Sequence, residues 1–188
     1  IPDSFEFDTL PEDVAHIEEH LGCAIERIPV LGDVGIKIFF NGPESFTPDD
    51  RYLLGPDPRV PNFFVAAGFN SIGIQSAGGA GKVLAEWIIN DQPPMDLWDV
   101  DIRRMMPFQI NQKYLHDRTV EALGLLYAMH WPFRQPETSR GIRKSILHDR
   151  LKESGACFGE MSGWERANWF AQKGQKPHYE YSYGRQNW

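Results

Sequence analysis

A glycine-rich stretch between an apolar run and a helix-like run is the feature of this sequence that most constrains its fold. Residues 63–67 read Phe-Phe-Val-Ala-Ala, residues 68–81 are rich in glycine, and residues 82–89 read Lys-Val-Leu-Ala-Glu-Trp-Ile-Ile. This order predicts a strand, a turn and a helix. Glycine lets a backbone approach a flat or anionic ligand closely, and a helix N-terminus favours negative charge. The segment therefore predicts one wall of a nucleotide or flavin site.

The two common phosphate-binding motifs do not fit this stretch. A G-x-G-x-x-G fingerprint with Gly81 as its second glycine needs a small residue where the chain has Leu84. A P-loop with Gly81 as its second glycine needs glycine at Ser76 and a hydroxyl residue at Val83. Tight packing of a helix on a strand, with no ligand, explains the glycines about equally well. The pattern alone leaves both interpretations open.

Composition limits the class of protein. At 188 residues, with 41% hydrophobic and 13% aromatic residues, the chain is expected to bury a sizeable core. It contains no continuous apolar run long enough for a membrane span, and Ile1-Pro2-Asp3 is not the start of a signal peptide. Because residue 1 is not methionine, we expect a processed, trimmed or partial chain. Cys23 and Cys157 are expected to be free thiols in a reducing compartment.

The net charge of −7 is unevenly distributed along the chain. Residues 1–100 carry 17 acidic and 5 basic side chains, a balance of −12, whereas residues 101–188 carry 9 acidic and 14 basic ones, a balance of +5. This change supports a module boundary near residues 95–103, where Gln92-Pro93-Pro94 is a stop signal. The basic residues are scattered, so a solvated surface or a dock for an acidic neighbour is expected rather than a nucleic-acid site.

Hydrophobic periodicity predicts alternating short strands and helices. His16 and His20 lie one helical turn apart, but glutamate does not follow the first histidine, so we expect a charged solvent face and no metal site. The expected strands are 5–8, 35–40 and 63–67, and the expected helices are 77–90, 111–129, 145–155 and one that Thr9 caps and that ends near Ile28.

Four segments together resemble a known family. They are 41–49 (Asn-Gly-Pro-Glu-Ser-Phe-Thr-Pro-Asp), 68–81, 101–104 (Asp-Ile-Arg-Arg) and 163–170 (Gly-Trp-Glu-Arg-Ala-Asn-Trp-Phe). In this order they are similar to the dimethylglycine dehydrogenase and sarcosine dehydrogenase family, and the resemblance covers essentially the whole chain. The last two segments favour the sarcosine dehydrogenase side.

The resemblance implies an α+β fold and a central piece of a longer flavoprotein. Residues 1–94 correspond to the C-terminal part of a D-amino-acid-oxidase-like FAD domain, and 95–150 to a small, mainly helical linking domain. Residues 151–188 correspond to the start of an aminomethyltransferase-like folate domain. Family members oxidise N-methyl amines such as sarcosine or dimethylglycine and pass the one-carbon unit to tetrahydrofolate. The implied cofactors are therefore FAD and, in the parent protein, tetrahydrofolate, whose pocket lies mostly outside this chain.

The resemblance also implies which residues contact the flavin, while the catalytic residues and the particular amine remain open. The 68–74 turn is expected to touch the ring system through backbone groups, and the 42–47 loop is expected to lie at the ring edge. For Ser45 and Thr47, turn formation explains the hydroxyl about as well as flavin contact. The cofactor-binding residues expected are Gly42, Ser45, Thr47, Gly68, Phe69, Asn70, Ser71, Ile72, Gly73 and Ile74.

Two departures separate the chain from monomeric sarcosine oxidases. Those relatives carry an oxygen-activating lysine where this chain has Gln75, and a flavin-linking cysteine where it has Gly42. Both departures favour electron delivery to a protein acceptor over reaction with oxygen.

A non-catalytic linker or scaffold that joins two functional halves is the alternative function. In either case the partners are the remainder of the same polypeptide or a second copy, and for an enzyme also a small N-methyl amine. We expect no nucleic acid or membrane partner, a cytoplasmic location or the mitochondrial matrix in a eukaryote, and no turnover by the 188 residues alone.

Overall fold

The computed structural model describes residues 4–128 and 134–188 and divides the chain into two units, Ile1–Glu44 and Ser45–Trp188. It confirms an α+β fold, and no helix in the described parts is long and apolar enough to cross a membrane. The elements are α1 (Val14–Arg27), β1 (Leu53–Pro56), β2 (Phe64–Ala67), α2 (Gly73–Asn90), α3 (Gln112–Tyr127), α4 (His148–Glu153), β3 (Ala156–Met161) and β4 (Trp164–Phe170).

The first unit contains one helix, α1. Its N-cap is Asp13, whose carboxylate accepts a hydrogen bond from the backbone N–H of His16 at 3.1 Å, so Thr9 is not the cap. The helix ends before Pro29, as expected, and the amide of Ile28 donates to the carbonyl of Ala24 at 2.9 Å. None of the helical residues is fully buried.

The predicted strands at 5–8 and 35–40 are wrong. Both segments are irregular, and Phe7 has a left-handed backbone with φ +48° that an extended strand does not tolerate. Asn41 instead joins the segment after α1 to the segment before it. Its carbonyl accepts a hydrogen bond from the amide of Leu10 at 2.7 Å, and its side chain donates one to the carbonyl of Pro11 at 2.7 Å. Alternating side chains indicate a strand only where a partner strand completes the ladder.

The second unit begins with an antiparallel hairpin that carries its core. β1 pairs with β2 from Leu53 opposite Ala67 to Pro56 opposite Phe64, which confirms the strand expected at 63–67. Leu54 is completely buried and Trp87 of α2 is 3% exposed. Gly55 has φ +111°, and a Cβ there would meet the Trp87 ring at 2.8 Å, so a glycine is required for the indole to pack on β1.

Helix α2 begins at Gly73, four residues earlier than expected. Most of the glycine-rich stretch is therefore helical, and only 68–72 form a turn. Cβ atoms added at Gly78, Gly79 or Gly81 would meet no atom within 4 Å, so these glycines do not serve close helix–strand packing within the described chain. The helix ends at Asn90, and the next residue, Asp91, adopts the left-handed conformation typical of a C-cap.

The chain after Pro94 packs on the same hairpin. The amide of Leu54 donates to the carbonyl of Val100 at 2.8 Å, and the guanidinium of Arg103 lies over the Trp87 ring at 5.3 Å. The division into 1–94, 95–150 and 151–188 stays a prediction.

Helix α3 confirms the helix expected at 111–129, whose last residue lies outside the described residues. Asn111 caps it by accepting from the amide of Tyr114 at 3.1 Å. The buried Arg118 joins α3 to β3 by an ion pair of 2.6 Å with Glu160.

The hairpin of β3 and β4 was not predicted. Its two-residue turn, Ser162-Gly163, has φ +51° and +79°, the left-handed pair that a type I′ hairpin turn requires. Helix α4 covers only His148–Glu153 of the expected 145–155.

Candidate functional site

The 68–72 turn between β2 and α2 has an unusual backbone. Gly68, Asn70 and Ser71 all have positive φ, at +66°, +48° and +64°. A Cβ at Gly68 would lie 2.7 Å from the methyl group of Thr47, so the turn approaches the 45–51 loop too closely for any other residue at this position. Sequence reasoning singled out this turn, and the structure brings it against the 45–51 loop.

Asn70 is the centre of that contact. It is 1% exposed, and its side-chain oxygen accepts from the amide of Thr47 at 2.8 Å. Its side-chain NH₂ donates to the carbonyl of Gly68 at 2.7 Å and to the hydroxyl of Thr47 at 3.1 Å. The backbone N–H of Asn70 donates to the carbonyl of Ser45 at 3.3 Å. The polar groups of Asn70 therefore join two loops that are 23 residues apart.

The 45–51 loop is also held from its other side. The hydroxyl of Thr47 donates to the carbonyl of Arg51 at 3.0 Å, and the guanidinium of Arg104 donates to that same carbonyl at 2.5 Å. Arg104 also pairs with both carboxylate oxygens of Asp49, at 2.8 and 3.0 Å. We call this set of Asn70, Thr47, Arg51, Asp49 and Arg104 the loop network.

The aromatic ring of Phe69 packs against another side chain of the protein. It stacks on Tyr52 with ring centroids 4.8 Å apart and an angle of 18° between the ring planes. Its carbonyl accepts from the amide of Ile72 at 2.9 Å, which completes the turn. The side chains of Phe69, Asn70 and Thr47 thus make the turn rigid.

The start of α2 is the open part of the site. Ile72 occupies the N-cap without a side-chain hydrogen bond among the described residues, and the first amides of a helix have no partner within it. Ile74 is completely exposed, and a Cβ at Gly73 would be only in ordinary contact with Phe69, at 3.5 Å. This surface offers backbone donors, a positive helix end and an apolar side chain, which suits a flat ligand with an acceptor edge.

The expected contact residues do not all lie in one unit. Gly42 belongs to the first unit, where a Cβ at its position would lie 3.2 Å from the Phe40 ring. The other nine expected residues belong to the second unit, where the turn meets the loop at Ser45 and Thr47. Sequence reasoning missed Asp49, Arg51, Tyr52 and Arg104. Of these, Asp49 lies in the 41–49 segment and Arg104 in the 101–104 segment that carry the family resemblance.

Asp50 lies next to the loop network, and its surroundings shift the pKa of its carboxyl group. Burial first, and the charge of Asp49 second, raise the pKa of the Asp50 carboxyl above its usual range. One of its carboxylate oxygens is buried and has no hydrogen-bond partner within 4–128 and 134–188.

A cavity of about 590 Å³ lies elsewhere in the second unit. It is formed by α4, β3, the loop that precedes α4 and the C-terminal tail, and no residue of the 45–74 region lines it. The ring of His148 stacks on Phe158 there, with centroids 4.5 Å apart, and burial raises the pKa of the free Cys157 thiol. Cys23, the other free cysteine, is exposed.

Two family models match the chain. Residues 2–87 match the family described as FAD dependent oxidoreductase, and residues 90–145 match the FAD dependent oxidoreductase central domain. The turn and the 45–51 loop lie in the first match, whereas Arg104 lies in the second.

Relatives with assigned names agree with these matches. The 4-methylaminobutanoate oxidase (formaldehyde-forming) of Paenarthrobacter nicotinovorans is 53% identical over 86% of this chain and 20% of its own length. Human mitochondrial sarcosine dehydrogenase is 38% identical over 97% of this chain and 20% of its own length. The mouse mitochondrial pyruvate dehydrogenase phosphatase regulatory subunit is 38% identical over 88% and 19%. The chain thus spans about a fifth of the length of these relatives.

Proposed function

Because the chain belongs to the sarcosine and dimethylglycine dehydrogenase family of FAD-dependent oxidoreductases, we propose that it is a flavin-binding part of an enzyme that oxidises an N-methyl amine. The observation that carries the proposal is the rigid 68–72 turn, which presents the N-terminus of α2 within the segment that matches the FAD family; the N-cap residue there, Ile72, makes no side-chain cap hydrogen bond in the described chain. The backbone there is shaped before any ligand arrives, which lowers the entropic cost of binding.

The residues at the turn fit a flavin. The amides of Gly73 and Ile74, the backbone of 68–72 and the adjoining residues Ser45 and Thr47 would hold the flavin. FAD, when bound, accepts a hydride equivalent from the substrate. Donors at a helix start stabilise the negative charge that the ring gains on reduction. The exposed Ile74 side chain would cover apolar ring surface and exclude water.

We propose N-methyl amines as the substrate class because the relatives are named for such substrates. Transfer of the released one-carbon unit to tetrahydrofolate belongs to the proposal for the parent protein. The partner is the remainder of the same polypeptide or a second copy. The location is the mitochondrial matrix if the source is eukaryotic, as the names of the mitochondrial relatives suggest, and the cytoplasm otherwise.

Flavin content of the full-length protein that carries this sequence tests the proposal. Gly73→Val places a branched side chain at the start of α2 and is expected to reduce bound flavin, measured by visible absorbance per protein, at least severalfold. Gly81→Val is the matched control, because it lies in the same helix with open space around its Cβ position. Equal flavin content in both variants and the wild type would contradict flavin contact at this turn.

A non-catalytic role is the second candidate, and the relative named as a phosphatase regulatory subunit favours it. The two candidates differ in turnover. The full-length protein with sarcosine or dimethylglycine and an artificial electron acceptor should reduce the acceptor with saturation kinetics. The 188-residue chain alone should not, because catalysis needs a whole flavin held in place. Bound flavin without turnover on either amine would favour the non-catalytic role.

A further inference from the structure

The side chains of the loop network are turned toward each other rather than toward a ligand. Asn70 has two N–H donors, and both are used, one on Gly68 and one on Thr47. Its oxygen accepts from the backbone of Thr47. At 1% exposure the Asn70 side chain is not available to a bound ring.

Arg104 is saturated in the same way. Its Nε and one terminal nitrogen form a two-pronged pair with Asp49, that terminal nitrogen also reaches the carbonyl of Arg51, and the other one donates to the carbonyl of Asp101 at 3.1 Å. The residue is 7% exposed. A planar guanidinium alone among side chains makes this fork, so lysine does not replace it.

The two saturated side chains meet at one atom. The carbonyl oxygen of Arg51 accepts both from Thr47, which Asn70 holds, and from Arg104. Hydrogen bonds therefore run without a break from the 68–72 turn through the 45–51 loop to residues 101–104. This path starts in the segment that matches the FAD dependent oxidoreductase family and ends in the segment that matches its central domain.

We propose that Asn70 and Arg104 are positioning residues of the flavin site, which fix the 45–51 loop against the 68–72 turn so that the central-domain segment sets the flavin's surroundings. This inference rests on the proposed function. It assigns to Arg104 a role in tuning the flavin, although Arg104 does not belong to the expected contact set. Asp49 takes part as the anion that orients Arg104.

The test uses the full-length protein with its flavin and four variants. Arg104→Lys keeps the charge but loses the fork. Its matched control is Arg103→Lys, because Arg103 is the adjacent arginine, pairs with Asp101 and does not touch the 45–51 loop. Asn70→Asp keeps the acceptor for Thr47 but loses both donors. Its control is Asn90→Asp, an exposed asparagine whose side chain bonds within α2. The readouts are the flavin midpoint potential, its visible circular dichroism and thermal unfolding of the protein.

Arg104→Lys and Asn70→Asp are expected to lower the preference for reduced over oxidised flavin about tenfold, which for a two-electron couple is a fall of about 30 mV. The visible circular dichroism should change with it, and both controls should match the wild type. If either variant does not fold, Asp49→Asn supplies a milder weakening of the same fork, with the same expected direction.

Two results would overturn the inference. One is a wild-type protein with normal flavin whose potential and visible spectrum are unchanged in those of Arg104→Lys, Asn70→Asp and the substitute Asp49→Asn that fold, even if thermal stability falls. The other is an equal shift in Arg103→Lys. A wild-type protein without flavin contradicts the proposed function itself, so the two failures are distinguishable.

Discussion

The two units of this chain differ in how completely they bury apolar residues. In the second unit, Leu54 and Trp87 are almost completely buried around the β1–β2 hairpin. In the first unit, α1 has no buried residue, and Val30, Val34 and Ile38 are 60%, 58% and 78% exposed. Because a fold is stabilised mainly by apolar burial, the buried apolar residues of the described chain, which all lie in the second unit, are expected to dominate its stability. The first unit has no buried residue within 4–44, so its exposed apolar residues are expected to need a partner surface.

Burial in the second unit also fixes polar groups. Asn70, Arg104 and Arg118 are each 7% exposed or less, and each bonds to partners far away in sequence. Buried polar groups of this kind specify one arrangement, because a shifted loop would leave them unsatisfied. The following predictions compare such sites with exposed sites of the same residue type.

The largest expected effect is at the core of the second unit. Trp87→Ala should lower the free energy of unfolding by about 4 kcal/mol, because it removes a buried indole and leaves a cavity beside Gly55. Trp98→Ala, at a tryptophan that is 59% exposed, should cost less than about 1 kcal/mol. Denaturant unfolding of both variants measures this, and equal losses would mean that the hairpin core does not dominate stability.

The next effect is at the ion pair between α3 and β3. Arg118→Ala leaves the buried Glu160 carboxylate without its partner at 2.6 Å, so a loss of about 3 kcal/mol is expected. Arg134→Ala, which breaks an exposed pair with Glu137, should cost less than about 0.5 kcal/mol. Thermal unfolding compares the two variants. A small loss for Arg118→Ala would show that water reaches Glu160.

Sequence reasoning found the elements whose signals are local. Helix α3 begins after the Asn111 cap and contains periodic apolar residues, and β2 is itself a short apolar run. The strands at 5–8 and 35–40 failed because alternation says nothing about a partner strand. The β3–β4 hairpin was missed although its signal was present: Ser162-Gly163 lies between two runs typical of strands.

The candidate site was found only in part for the same reason. The glycine-rich turn is a local pattern, and Gly68 is indeed required there by its close approach to Thr47. The partners of that turn are not local, because Thr47 is 23 residues from Asn70, and Asp49 is 55 residues from Arg104. No spacing rule connects residues this far apart, so the loop network follows only from the folded chain.

A third, smaller effect depends on pH. Burial alone would raise the pKa of the Glu165 carboxyl, but its hydrogen bonds from Arg140 and the amide of Gly141 outweigh burial and lower it. A lowered folded pKa stabilises the protein above the unfolded value, and this contribution disappears as pH falls through the folded pKa. Glu165→Gln should therefore cost about 2 kcal/mol near neutral pH and less in acid.

Thermal unfolding of the wild type and Glu165→Gln at a series of pH values measures this difference. Glu153→Gln is the control, because it removes an exposed carboxylate without an ion pair in the described chain. A difference that stays constant from neutral pH to acid would contradict the ionic role of Glu165.

The smallest effect tests the comparison between the units most directly, through two matching helix caps. Asp13 caps α1 and Asn111 caps α3, each by accepting an amide hydrogen bond at 3.1 Å. Replacing either by alanine removes about 1 kcal/mol of helix stability. Because α1 has no buried residue whereas α3 buries Tyr114, Arg118 and Ala122, only the α3 cap is expected to be coupled to the core.

Amide hydrogen exchange measured helix by helix separates the two cases. Asp13→Ala should speed exchange about fivefold in α1 and leave α2 and α3 unchanged. Asn111→Ala should speed exchange in α3 and also in the slowest amides of β3, which Arg118 joins to α3. If Asp13→Ala instead accelerated exchange throughout the second unit, the two units would form one cooperative structure, and the exposed Val30, Val34 and Ile38 of the first unit would not mark a separate need for a partner.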